Sequence, residues 1–218
     1  MLRLMKKNAL YFAYYAAVIF PLMALYVYFI RKELSGPTVM FQGLWLILVV
    51  EGALAVSEKA EDKTHGYDFL RTLPIKDSEI VLSKFLIVLL TTIFLVAFNY
   101  ILYLFIPGPV HLFTIGRILV LISGIYALIL AATSYVIIFR FGHAKFVKFI
   151  WAVMIITMVA PILIFESVIL KMGLDISTVT GKLSQLSWLF WIALPICGLA
   201  LFYLLLQTAI KAKIATRG

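Results

Sequence analysis

"EKAEDKTHGYDFLRTLPIKDSEIVLSK", residues 58–84, is a charged stretch with a single proline, set between two long apolar runs. Pro74 stops any helix that reaches it from upstream, because its ring clashes with the preceding turn. Asp77 or Ser78 can then cap a new helix, and Glu79 falls in its first turn, where the helix dipole favours an acid. Before the proline, Tyr67, Leu70 and Leu73 are spaced by three, and Phe69 and Leu73 by four. On a short helix these residues share a face, while Asp68, Arg71 and Thr72 point elsewhere. A short helix lying across the ends of the two flanking apolar runs is expected here.

The surroundings decide what that helix rests on. The chain has 218 residues, 64% hydrophobic and 13% charged, against roughly half and a quarter in globular domains. The apolar residues fall in runs of about 20 or more, apolar on every side, which is the pattern of bilayer-crossing helices. Lipid offers backbone groups no hydrogen bonds, so each run must be helical. Six spans are expected, at about 10–30, 38–56, 79–106, 114–139, 146–170 and 187–210. The basic, then apolar N-terminus reads as a retained first span, because its apolar run is longer than that of a signal peptide. The whole chain, 1–218, reads as one transmembrane domain of the all-α class.

A formal net charge of +9 could suggest nucleic acid, but the basic residues stand at the ends of apolar runs, where they set orientation. With six spans, 14 of the 19 Lys and Arg fall on the side of the two termini. Arg31, Lys32, Arg117, Lys171 and Lys182 fall on the other. The positive-inside rule therefore puts both termini and residues 58–84 in the cytoplasm. The lone Cys197 excludes an internal disulfide and a multi-cysteine metal site. His65, His111 and His143 are too far apart in the chain to suggest a metal centre, and no catalytic set of side chains emerges.

The third span, 79–106, is long: 28 residues reach about 42 Å across a hydrocarbon core of about 30 Å. It is expected to project into the cytoplasm. The segment before it has two readings. It is a docking surface for a protein, as its mixture of aromatic, apolar and charged groups suits. Or it is an amphipathic turn resting on headgroups. Three acids at its start, Glu58, Glu61 and Asp62, favour the protein partner.

An acid at the end of the second span, then "GYDFLRTLP", an Ile, a polar pair and "EIVLSK" running into the third span resembles the permease subunits of ABC exporters of the ABC-2 type. The close similarity covers the 27 residues quoted; the rest agrees in span number and orientation. The resemblance implies a coupling helix between spans two and three that fits a groove on a separate ATPase subunit. By position its residues are Gly66, Tyr67, Asp68, Phe69, Leu70, Arg71, Leu73 and Pro74, with Glu58 at the connecting end. It also implies two ATPase chains carrying ATP and Mg, a second permease chain that is identical or paralogous, and a bacterial cytoplasmic membrane. The family commonly opens with a longer amphipathic elbow helix, whereas only about ten residues precede the first span here.

No cofactor is expected in this chain itself. A phosphate-binding loop would need Gly-Lys followed by Ser or Thr, and Gly181–Lys182 is followed by Leu183. Inside the spans, Glu51, Asn99 and Glu166 are candidates for a translocation path or a helix contact. For Glu51 the alternative is a buried hydrogen bond, for Asn99 a bond between helices. For Glu166 it is a rim position beside Lys171. The expected function is export of amphipathic or hydrophobic cargo, such as antimicrobial peptides, drugs or lipids. The rivals are a secondary transporter or channel without an ATPase, and a membrane scaffold or sensor.

Overall fold

In the computed structural model, residues 9, 10, 13, 36–63, 76–105, 110–164 and 188–215 are described. They form five long helices: α1 Gly36–Lys63, α2 Asp77–Phe105, α3 Val110–Phe141, α4 His143–Ile164 and α5 Trp188–Ala215. There is no strand among the described residues, as the all-α expectation requires. Three segments, Asp77–Ile101, Gly116–Phe141 and Ile192–Ala215, are long and apolar enough to cross a membrane. The first expected span and the start of the elbow lie almost wholly outside the described residues, and so does the end of the fifth span.

The lengths depart from expectation in one respect. The third span was expected to be exceptional, and at 29 residues α2 is long, but α1 has 28 and α3 has 32. At 1.5 Å per residue each exceeds 40 Å, so α2 is not exceptional in length among the described helices. On α1 the extra length over the expected second span is "EKAEDK", residues 58–63: the quoted stretch begins as a continuation of this helix.

The start of α2 also differs in detail. The Lys76 carbonyl accepts from the N–H of Glu79 at 2.9 Å and from that of Ile80 at 3.4 Å. Lys76 therefore holds the cap position expected of Asp77 or Ser78. Asp77 and Glu79 both lie in the first turn, at the positive end of the helix dipole.

Helix α3 packs against all four of the other described helices. Its small and aliphatic residues, Val120, Ala127, Ala131 and Ala132, are fully buried. Small side chains let helix backbones approach closely where lipid supplies no hydrophobic drive. Gly124 is the tightest instance, since a Cβ there would run into Val96 Cγ2 of α2. The connection from α3 to α4 shrinks to one residue, Gly142, with φ of 85°. Its N–H bonds the Ile138 carbonyl at 3.0 Å, a left-handed cap that glycine adopts without strain. At the opposite end, the Tyr100 hydroxyl donates to the Arg117 carbonyl at 3.1 Å and ties α2 to α3.

Candidate coupling base between α1 and α2

The side chains of the quoted stretch that matter most for its placement lie at its two ends. On α1, Glu51, Leu54, Glu58 and Glu61 recur at three- and four-residue steps and are all at most 1% exposed. They form a single buried stripe, as the helical period dictates. On α2, Lys84 falls in the second turn and is 2% exposed. Its ammonium donates to Glu58 Oε1 and stands 3.9 Å from Glu61 Oε2. The first and last residues of the 27-residue motif are thus a buried ion pair that joins the end of α1 to the start of α2.

A buried ammonium is tolerated only with charge and hydrogen-bond partners. Here α3 adds an aromatic one: Lys84 Nζ lies 5.6 Å from the centre of the Tyr135 ring, in cation–π range. Tyr135 in turn packs on Phe85 at 5.6 Å and on Phe139 at 5.9 Å. Phe85 reaches Phe202 of α5 at 5.2 Å. Lys213, near the end of α5, lies 5.4 Å over Phe139. The ion pair is therefore seated on an aromatic cluster drawn from α2, α3 and α5. This is the end of the bundle where the basic residues gather.

The expected coupling residues Gly66, Tyr67, Asp68, Phe69, Leu70, Arg71, Leu73 and Pro74 lie outside the described residues. Glu58 is described, and it lies inside the bundle. Glu58, expected at the connecting end of the coupling segment, faces inward with Glu61 toward Lys84 of the next helix. Lys84 itself closed the motif in the sequence without a role. A lysine in the second turn of an otherwise apolar span was the signal that it must find an acid.

Glu51 is also buried, 1% exposed, with Ser134 Oγ of α3 donating to its Oε2 at 3.4 Å. Its Oε1 has no hydrogen-bond partner among the described residues. Of the two readings of Glu51, the buried bond to a neighbouring helix is present. Asn99 is fully buried, and its Nδ2 donates to the Leu95 carbonyl of its own helix at 2.8 Å. Glu166 lies outside the described residues. A cavity of about 400 Å³ opens between α2, α3 and α5, lined by Leu89, Val96, Leu121, Leu128 and Leu199, with Thr92 a polar member. Neither Glu51 nor Asn99 lines it.

Long apolar helices around a central helix, with buried ionic and polar contacts between them, define a polytopic α-helical membrane protein. The model of the ABC-2 family transporter proteins matches residues 3–212, nearly the whole chain, and the chain belongs to this family. The resemblance seen in the quoted motif is thereby confirmed. Membership makes the chain a membrane component of a transport system and implies an ABC ATPase as its partner. No curated protein and no solved structure matches the chain.

Proposed function

We propose that the chain is the permease subunit of an ATP-driven exporter, with six spans and both termini in the cytoplasm. It pairs with a second permease chain and two ATPase subunits, which bind the ATP and Mg, in a bacterial cytoplasmic membrane. Residues 66–74 dock on an ATPase. Its cargo is amphipathic or hydrophobic, such as antimicrobial peptides, drugs or lipids, which suits spans with so little polar surface.

The observation that carries this reading is the buried pair of Glu58 and Lys84. A segment that receives a push must have stiff ends, or the push is absorbed in the loop. Here both ends are helical and held together by a charge-assisted bond in a dry site. Such bonds are roughly twice as strong as neutral ones. Movement of residues 64–75 would pass into α1 and α2 together, and through Tyr135 and Phe85 into α3 and α5.

The test is copurification and transport. Tyr67→Ala and Leu70→Asp should insert normally, yet lose the ATPase subunit or its coupling to cargo movement. Retention of both ATPase association and transport in these variants sinks the docking assignment. Transport that follows a proton gradient, with no ATPase attached, would instead establish a secondary transporter.

A further inference from the structure

The corner where α3 passes into α4 carries cations that the bundle does not use. Arg140 lies in the last turn of α3, and Lys145 and Lys148 lie in the first two turns of α4. All three are exposed. None of them pairs with an acid among the described residues, and the first turn of α4 holds no acid. Two of them rest instead against the exposed ring of Phe141. The Arg140 guanidinium stands 5.2 Å from its centre and the Lys145 ammonium 4.8 Å. Lys148 is three residues beyond Lys145, so these two are neighbours on the helix surface, where like charges repel. Three cations gathered at one corner are unfavourable to one another until an anion shares them.

The chemistry of that anion is written along α4. The helix turns Phe146 and Ile150 inward, both buried. Its exposed face runs Lys145, Lys148, Trp151 and Ile155, at steps of three and four that keep them on one side. The order is basic, then aromatic, then aliphatic, over a rise of about 15 Å. A bilayer presents the same order, from phosphates through an aromatic-favouring interface to hydrocarbon. The apolar segment of α3 that is long enough to cross a membrane ends at Phe141, which puts this ring and its cations at the rim. A soluble partner could meet the cations but not Trp151 and Ile155 below them. A phospholipid meets both.

We infer that the α3–α4 corner is a binding surface for an anionic phospholipid. Arg140, Lys145 and Lys148 hold the phosphate, and an acyl chain lies along Trp151 and Ile155. The inference takes α4 as the start of the expected fifth span and needs nothing of the ATPase reading. Phe139, the residue before Arg140, stacks on Tyr135, so lipid held at the corner braces the helix on which the Glu58–Lys84 pair is seated.

The test compares the full chain in nanodiscs of phosphatidylcholine alone with nanodiscs of phosphatidylcholine and phosphatidylglycerol in equal parts. Wild type should melt roughly 5 °C or more higher with phosphatidylglycerol, from the pull of an anionic surface on three cations. High salt should shrink that gap, since exposed charges are screened. Arg140→Gln, Lys145→Gln and Lys148→Gln together should abolish it, while melting no lower than wild type in phosphatidylcholine. Should this set fail to fold, Lys148→Gln alone should narrow the gap. Arg140→Lys, Lys145→Arg and Lys148→Arg together should retain it. So should Lys59→Gln, Arg117→Gln and Lys211→Gln, which remove the same charge from other exposed positions. A wild-type chain indifferent to phosphatidylglycerol overturns the inference, as does a gap lost equally in the control set. Inorganic phosphate that reproduces the gain in phosphatidylcholine also overturns it. A gap that survives the neutral set does so too, and if a copurifying ATPase is then lost, the corner is a protein contact instead.

Discussion

The Lys84 ammonium lies 5.6 Å from the centre of the Tyr135 ring, so the ion pair joining α1 to α2 is seated on the central helix α3. Through Tyr135 the charged contact between the motif's ends reaches the helix that touches all the other described helices. A perturbation of that pair is expected to be felt across the bundle.

Lys84→Met should therefore be severe. It takes the Lys84 ammonium away from the buried carboxylates of Glu58 and Glu61, and breaking a buried pair from one side costs about 3–5 kcal/mol. The melting temperature in nanodiscs should drop accordingly. Adding Glu58→Gln and Glu61→Gln to Lys84→Met should recover part of the loss, because the two buried negative charges that faced Lys84 are then gone. A triple variant no more stable than Lys84→Met would contradict this.

At Glu51 stability and function can be separated. Ser134→Ala removes the donor to Oε2 and leaves a buried acceptor, which should destabilise by about 1–3 kcal/mol. Glu51→Met in the same chain should regain most of that, since both polar partners are then absent. A double variant that is stable but does not transport would assign Glu51 a place on the path. One that transports normally would leave it a packing role.

The approach of α2 to α3 makes a different prediction. Gly124→Ala forces Val96 Cγ2 to move, and overpacking of this kind costs about 1–3 kcal/mol. Val96→Ala removes the colliding methyl, so the double variant should be more stable than Gly124→Ala alone. Double-mutant analysis of melting temperatures reads this coupling directly.

Topology is tested by labelling. Lys59 of α1 and Arg117 of α3 are both exposed and lie toward opposite ends of the bundle. In a Cys197→Ser background, Lys59→Cys should react with a membrane-impermeant maleimide in inside-out vesicles. Arg117→Cys should react in right-side-out cells. The reverse pattern would invert the orientation drawn from the basic residues.

Much of the fold could be read directly. Residue types with no polar alternative in lipid must be helical, and Pro74 and Glu79 mark the start of α2 within two residues. What escaped reading was pairing across distance. Glu58 and Glu61 look like surface acids because nothing local says otherwise, while Lys84, which pairs with both, lies 26 residues beyond Glu58. The heptad-like recurrence of Glu51, Glu58 and Glu61 was the available clue that they share an inward face. Asn99 shows a related limit: its Nδ2 donates within its own helix, and composition does not distinguish that bond from one to a neighbour. Ser134 carried no signal at all, as one hydroxyl in a long apolar helix has many uses.

The 26-residue separation of Glu58 from Lys84 also bears on how the chain is made. At ordinary rates of translation the lysine is synthesised roughly 1–5 s after the acid it neutralises. During that interval the last turns of α1 have no cation from α2 and must keep their water. They can withdraw from it only when the next helix arrives. The newborn hairpin of α1 and α2 therefore matures as one unit, and its final tightening waits on a residue the ribosome has yet to add.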